Sequence, residues 1–328
     1  MYESFYGMSE LPFELTANPK FLFLNKSDRE ALSILQYGLF SAKSLTVLTG
    51  EAGTGKTTLI QSALESERCR NVRAIYLNNP TLNPDDFVRM LAMKLDLPAE
   101  IGESKTLLLQ RLDALLRERR AADQITALVI DEAQSLSFEM LEEVRLLANI
   151  ETPSTKLLPL VLAGQPELEA RLEASNLRQL KQRVSLRARL EPFELVDTAG
   201  YIASRIRTAG GRSERVFTLD AVKLIHEYSH GIPRTISVIC DNALVTGMAL
   251  GKSRVDRATV VEVGRDLRLN GSGPPAALPT AASGPDPAKD TAASRAPDGQ
   301  NGPPPSSNNF LRRGVATLSR RVARTITE

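Results

Sequence analysis

The eight residues GEAGTGKT at positions 50–57 decide the fold, because they fit the pattern G-x-x-x-x-G-K-[ST]. An apolar run at 45–49 precedes them, and a helical pattern begins near Lys56. Glycines at 50, 53 and 55 let the backbone turn tightly and point its N–H groups at phosphate oxygens, where the following helix N-terminus adds partial positive charge. The stretch predicts a phosphate-binding loop between a buried strand and a helix, rather than a glycine-rich turn without a ligand.

This loop defines the candidate nucleotide site. We expect Lys56 to reach the β- and γ-phosphates of ATP, and the Thr57 hydroxyl to hold Mg²⁺. The candidate contact residues are Gly50, Glu51, Ala52, Gly53, Thr54, Gly55, Lys56, Thr57 and Thr58.

A second candidate site follows the apolar stretch at 127–130, where Asp131 and Glu132 stand at the carboxyl end of a predicted strand. Open α/β sheets bind their ligands at this edge. Asp131 fits coordination of Mg²⁺ together with Thr57, and Glu132 fits a carboxylate that orients or deprotonates an attacking water. An acidic pair after an apolar strand is by itself more typical of a loop or a helix start. Combined with the phosphate-binding loop, it predicts ATP hydrolysis.

The rest of the chain predicts the fold class. Before Pro192, apolar β-rich runs alternate with helical patterns, which indicates a three-layer α/β/α domain with a parallel sheet over residues 1–192. The predicted strands are 45–48, 74–77, 127–130 and 160–163, and the helices between them are 57–66, 84–96, 104–121 and 137–149. After Pro192 the pattern is helical and predicts a small lid domain over 193–270. Its predicted helices are 197–209, 219–229, 233–249 and 257–268, with Thr218 and Asp256 as caps of the second and the last.

The C-terminal residues have a different composition. Residues 271–309 hold 9 of the 19 prolines, no aromatic residue and a single large aliphatic residue, Leu278. They can bury too little apolar surface to offset chain entropy, so a disordered linker is expected. Residues 310–328 place five arginines off an apolar stripe of helical spacing, which predicts a short basic amphipathic tail helix.

Composition excludes several classes of protein. The 328 residues are 42% hydrophobic and 24% charged, as in a globular chain of about two domains. The net charge of +2 excludes a chain-wide nucleic-acid surface, and the positive excess lies in the tail. Cys69 and Cys240 lack the spacing of a disulfide framework or a zinc site and are expected to be buried. Without a signal-peptide pattern or a membrane-spanning run, a cytoplasmic location is the simplest expectation.

Further stretches accompany the two motifs. They are YESFYGMSELPFELTANPKFLFLNKSDREAL near the N-terminus, QYGL at 36–39, VLAGQPEL at 161–168, LRQLKQRV at 177–184 and GIPRTISVICDNAL at 231–244. With GEAGTGKTT and VIDEAQ, they make residues 1–268 resemble the AAA+ ATPases, and within these the ExeA-type (general secretion pathway A) ATPases and the related transposition ATPases.

The resemblance implies roles for three more residues. Gln165 would be the sensor-1 group that contacts the γ-phosphate or the water, with a Gln-Pro turn that caps a strand as the alternative. Arg183 would be an arginine finger that reaches a neighbouring subunit's γ-phosphate, so a homo-oligomer is expected. Arg234 would be the sensor-2 arginine of the lid, against a surface arginine at a helix start. Nearby basic residues that fit a solvated face equally well are Arg178, Lys181, Arg187 and Arg189.

The resemblance also gives expectations for the base-binding and control regions. The N-terminal segment would pack against adenine, and its apolar candidates are Phe13, Pro19 and Phe21. A polar residue after the strand 74–77 would hold Glu132 inactive until a partner binds, and the candidates are Asn78 and Asn79. Asp28 stands where many relatives have histidine, so base recognition at this position does not carry over.

Three functions remain open at this point. The first is an ATPase that drives conformational change or assembly in a secretion or envelope complex, peripheral at the inner membrane, with the basic tail docking on lipid or a membrane protein. The second is a DNA-binding ATPase that regulates transposition, with the arginines at 178–189 facing DNA. The third is a slow nucleotide-dependent scaffold switch.

Overall fold

A parallel sheet positions the site in the computed structural model, which describes residues 1–16, 18–78 and 82–269. Its strands are β1 (Leu45–Gly50), β2 (Val72–Leu77), β3 (Ile125–Ile130), β4 (Leu160–Gly164) and β5 (Val184–Leu190). The strand order is β2-β3-β4-β1-β5, so that β4 lies between β1 and β3. The loop after β4 therefore lies between the two loops that carry the predicted motifs.

The central strands are buried throughout, and successive side chains alternate between two apolar clusters. Leu128 and Ile130 belong to one apolar cluster, whereas Ala127 and Val129 belong to another. Because successive side chains of a strand point to opposite faces, the two clusters fill the two faces of the sheet. Both faces are covered, and the predicted three-layer α/β/α fold is confirmed.

The fifth strand was not predicted. Val184–Leu190 alternates apolar residues with Ser185, Arg187 and Arg189, as an edge strand with one solvated face does. The two arginines are exposed. Their abundance made this stretch resemble a basic surface, although its period of two is that of a strand.

The eight predicted helices lie close to their predicted positions, whereas α1, α2, α7, α8 and α10 were not predicted. In the described residues they are α1 (Tyr2–Phe5), α2 (Lys26–Phe40), α3 (Lys56–Leu64), α4 (Pro84–Lys94), α5 (Lys105–Ala121), α6 (Phe138–Leu147), α7 (Glu167–Leu172), α8 (Arg178–Lys181), α9 (Leu195–Thr208), α10 (Ser213–Val216), α11 (Leu219–Ser229), α12 (Pro233–Ala249) and α13 (Arg257–Asp266). The predicted caps are confirmed, since the side chain of Thr218 accepts from the N–H of Ala221 and that of Asp256 from the N–H of Thr259. None of the described helices is long and apolar enough to cross a membrane.

A third apolar cluster joins the helices after residue 193 to the N-terminal segment, which we define as residues 1–24. The ring of Phe13 is buried and meets that of Phe217 edge to face, with centroids 6.3 Å apart. Arg205 of α9 donates to the carbonyl of Pro12 at 2.8 Å. The N-terminal segment thus packs on the helical region, although the sequence assigned it to the α/β domain.

Met1–Pro274 forms one compact unit. The predicted domain division near Pro192 lies inside this unit and stays a prediction. The predicted linker and tail, 271–309 and 310–328, lie outside the described residues. Both cysteines are buried as expected. Cys69 lies in a sheet cluster and Cys240 in the helical cluster.

Candidate nucleotide-binding site

The loop after β1 has the backbone that a phosphate-binding loop needs. Gly53 and Gly55 have φ of +83° and +99°, in the left-handed region that glycine adopts without strain. Gly55 is the N-cap of α3, so the helix N-terminus points into the loop. A Cβ at Gly53 would lie 2.8 Å from the Cβ of Arg234, and therefore the start of α12 approaches this loop closely.

Lys56 is buried beneath this loop, with a relative exposure of 6%. Its Nζ donates to the carbonyls of Gly50 at 2.8 Å and of Glu51 at 3.1 Å. Burial lowers the pKa of Lys56, and the negative charge of Glu132 and Asp131 opposes this effect. A buried ammonium that is poorly solvated favours an anionic ligand, which would offset the cost of desolvation.

A hydroxyl and a carboxylate meet where the loops after β1 and β3 come together. The Thr57 hydroxyl donates to Asp131 Oδ2 at 2.6 Å, and the Tyr76 hydroxyl donates to the same oxygen at 3.1 Å. Burial, with the neighbouring charge of Asp131, raises the pKa of Tyr76. Hydroxyl and carboxylate oxygens are the ligands that Mg²⁺ prefers, so this pair fits the ion. Tyr76 was not predicted, because the sequence does not say which side chains of β2 face Asp131.

Glu132 follows in an unusual backbone conformation. Its φ of 53° lies in the left-handed region, and its N–H donates to Asp131 Oδ1 at 2.9 Å. The carboxylate is exposed and accepts a hydrogen bond from Gln134 Nε2 at 2.6 Å. Asn78 is exposed, and Asn79 lies outside the described residues. Control of Glu132 by either asparagine stays a prediction.

Gln165 and Arg183 follow different elements of the fold. Gln165 follows β4, and its backbone N–H donates to Gln134 Oε1 at 3.1 Å. Arg183 follows α8, and neither residue is among the described residues that line the cavity beside the loop. The pKa of Glu151 is lowered, mainly by Lys156 and to a smaller extent by the positive charge of Arg183. The guanidinium of Arg183 therefore lies on the same side of the molecule as Glu151.

The phosphate loop opens into a cavity of about 410 Å³, a size typical of small-ligand sites. Lys56, Thr57, Thr58 and Glu132 line one end of it. The lining also has an aromatic and apolar part that includes Phe21, Phe23, Leu24, Phe193 and Tyr201.

The expected adenine contacts stay predictions, and the structure places their candidates differently. Phe21 lines the cavity, whereas Phe13 is buried against Phe217. The side chain of Pro19 is not among those described. Asp28 also lines the cavity, and its burial raises its pKa to about 6.

Arg234 is at the start of α12 and lines the cavity. Its backbone N–H donates to the carbonyl of Gly53 at 3.2 Å. The first turn of α12 is thus hydrogen-bonded to the phosphate loop itself.

Comparison with known proteins agrees with this geometry. Residues 40–172 match the family model described as AAA domain. The chain is 38% identical over 255 residues to general secretion pathway protein A of Aeromonas hydrophila. The match covers 78% of this chain and 46% of the relative, so the chain spans less than half of that protein.

Solved structures share the fold at low sequence identity. The ORC2 protein of Aeropyrum pernix, in its ADPNP-ADP complexes, is 17% identical with a TM-score of 0.59, and the match covers 81% of this chain and 72% of that one. Cdc6p of Pyrobaculum aerophilum is 18% identical with a TM-score of 0.58, and coverage is 80% and 70%. Drosophila ORC bound to DNA is 19% identical with a TM-score of 0.60, and coverage is 78% and 64%.

The family model spans the phosphate loop and the strands β1 to β4. Residues 40–172 thus form an AAA domain, in a chain that is similar to general secretion pathway protein A over most of its length.

Proposed function

We propose that the chain binds ATP with Mg²⁺ and hydrolyses it. The observation that carries this proposal is the 2.6 Å contact between Thr57 and Asp131, next to Lys56 and Glu132 at one end of a single cavity. A buried cation, an oxygen pair that fits Mg²⁺ and an exposed carboxylate are the groups that phosphoryl transfer to water requires.

Each residue has a separate task in this proposal. Lys56 leaves its loop carbonyls and binds the β- and γ-phosphates, while Thr57 and Asp131 hold the metal ion, which neutralises charge that develops on the phosphates. Glu132 accepts a hydrogen bond from the attacking water and orients it. Gln165 and Arg234 contact the γ-phosphate, from the loop after β4 and from the lid respectively.

Two substitutions test this assignment. Lys56→Ala removes the buried cation, so we expect nucleotide binding to be lost in a fluorescent-ATP titration. Glu132→Gln retains size and polarity, so we expect binding to be retained and turnover to fall by about 10²-fold or more. Normal turnover in the Glu132 variant would refute the role of this carboxylate.

Arg183 supports a homo-oligomer in which one subunit completes the site of the next. The residue does not line the cavity of its own chain and is partly exposed on the other side of the fold. Mixing Arg183→Ala with Lys56→Ala subunits should restore part of the hydrolysis, since each variant supplies what the other lacks. A mixed oligomer without recovery would contradict an action in trans.

The relationship to general secretion pathway protein A supports a role in a secretion or envelope complex. The cytoplasm, at the inner membrane, is the location that fits this role, with the basic residues 310–328 docking on anionic lipid or a membrane protein. DNA regulation is the alternative, and the exposed Arg187 and Arg189 of the edge strand favour testing it.

Co-sedimentation of the full chain with anionic vesicles and with duplex DNA separates these roles. The matched variant carries glutamine in place of the tail arginines Arg312, Arg313, Arg320, Arg321 and Arg324. Vesicle binding that the variant loses supports the membrane role. DNA-stimulated hydrolysis that the variant retains supports the DNA role, and slow hydrolysis that neither surface stimulates supports a scaffold switch.

A further inference from the structure

Gln134 connects two parts of the site that are far apart in sequence. Its Nε2 donates to the carboxylate of Glu132 at 2.6 Å, and its Oε1 accepts from the backbone N–H of Gln165 at 3.1 Å. One amide side chain thus uses its donor on the proposed water-orienting carboxylate and its acceptor on the loop that carries the proposed γ-phosphate sensor.

Two neighbours hold this amide in place. Arg171 of α7 donates to the backbone carbonyls of Gln134 and Leu136, which fixes the loop between β3 and α6. Gly164 ends β4, and a Cβ there would come within 2.9 Å of Gln134 Oε1. The absence of a side chain at Gly164 therefore makes room for the amide.

The bond to Gln134 also explains how Glu132 keeps a defined direction. Glu132 is exposed and its backbone has a φ of 53°, which residues other than glycine seldom adopt. An exposed carboxylate would otherwise sample several rotamers. With the bond in place, Glu132 lines the cavity on the side of Lys56, where its charge opposes the effect of burial on Lys56.

We propose that Gln134 is a positioning residue that fixes the orientation of Glu132 and couples it to the backbone of Gln165. A shift of the Gln165 loop, when a γ-phosphate is bound or released, then moves the carboxylate through one side chain. The inference rests on the proposed ATP hydrolysis, because orientation of Glu132 matters only if Glu132 acts on water. Gln134 itself touches neither phosphate nor metal in this scheme.

Gln134→Glu in the full chain is the sharpest test. The glutamate keeps the length of the side chain and an oxygen that accepts from Gln165, but it loses the donor and faces Glu132 with a second carboxylate. We expect kcat to fall about tenfold or more, with the dissociation constant for ATP within about twofold of wild type, as is common when a supporting hydrogen bond is lost. Gln134→Ala should lower kcat as well, since it removes both bonds.

Gln124→Glu is the matched control, because Gln124 is exposed and precedes the opposite end of β3. It should leave both constants unchanged. Wild-type kcat in Gln134→Glu, or a loss of ATP affinity that accounts for the whole loss of rate, would overturn the positioning role alone. If the wild-type chain binds ATP but does not hydrolyse it, the proposed function fails, and the positioning role falls with it.

Discussion

The α/β region and the helical region enclose the same cavity with different kinds of structure. On the α/β side, the lining residues come mainly from short segments that directly follow β1 and β3. Within each segment, the key residues lie no more than eight positions apart in sequence. On the helical side, the lining comes from the N-terminal segment together with α9 and α12. Both helices begin more than 170 residues after the N-terminal segment ends. One part of the cavity lining thus comes from residues that are close in sequence, whereas the other part comes from residues that are far apart in sequence.

In the proposed function, the polar part of the lining takes the phosphates, and the aromatic part, which we call the base end, takes the base. Phosphates are bound by backbone N–H groups and a buried lysine, which a short loop can supply. A base needs an apolar slot, and here that slot exists only while the N-terminal segment is packed on the helices. The proposed function therefore links binding of the base to the stability of the helical region.

The largest expected effect is on that packing. Phe13 is 1% exposed, and Phe13→Ala should lower the free energy of unfolding by about 3–5 kcal/mol. Hydrogen exchange should quicken chiefly in α9 and α11–α13. Phe87→Ala, at an equally buried phenylalanine of the α/β region, is the matched control and should affect the sheet instead. Uniform loss of protection in both variants would mean that the two regions do not respond separately.

A smaller effect should appear where the two regions touch. Gly53→Ala adds a Cβ 2.8 Å from that of Arg234 and forces alanine to a φ of +83°. We expect a stability loss of about 1–2 kcal/mol from the backbone alone, and weaker ATP binding because the lid must move. Gly251→Ala is the control, with a φ of +64° and open space around it. It should lose similar stability and keep its ATP affinity, so equal affinities in both variants would argue against a lid contact at Gly53.

The smallest effect concerns Asp28 at the base end. Its pKa of about 6 lies above the usual 3.8, so the folded state binds this proton more tightly than the unfolded state. The stability that protonation provides is complete below about pH 4 and is lost as the pH rises through 6. Asp28→Asn cannot ionise, so its stability relative to wild type should rise by about 1 kcal/mol between pH 5 and 7. Urea unfolding at both values measures this, with Asp85→Asn at an exposed position as control.

The phosphate end could be predicted from sequence because motif, strand and helix are contiguous there. Sheet order then brings Thr57 to Asp131, as expected from two parallel strands separated by β4. The side chains that support these residues could not be predicted. Tyr76 and Gln134 reach the site through side-chain direction, which pattern alone does not give.

Two features that the sequence did not predict, strand β5 and the packing of the N-terminal segment, also have a physical explanation. Arginines concealed the period of two in β5, and nothing local told the N-terminal segment to pack on helices that follow 170 residues later. The bounds of the eight predicted helices, in contrast, were correct within two residues, since capping and amphipathic period are local properties, although the capped helix α2 was missed.

The two cysteines can report separately on the opening of the two regions. Cys69 and Cys240 are buried, one in each region, and burial raises the pKa of both thiols, which makes them slow nucleophiles in the folded state. A thiol reagent can therefore modify each one mainly when its own surroundings open. Peptide-resolved alkylation of the unaltered chain would measure the opening rates of the α/β region and of the helical region separately. If nucleotide closes the base end, its addition should slow the alkylation of Cys240.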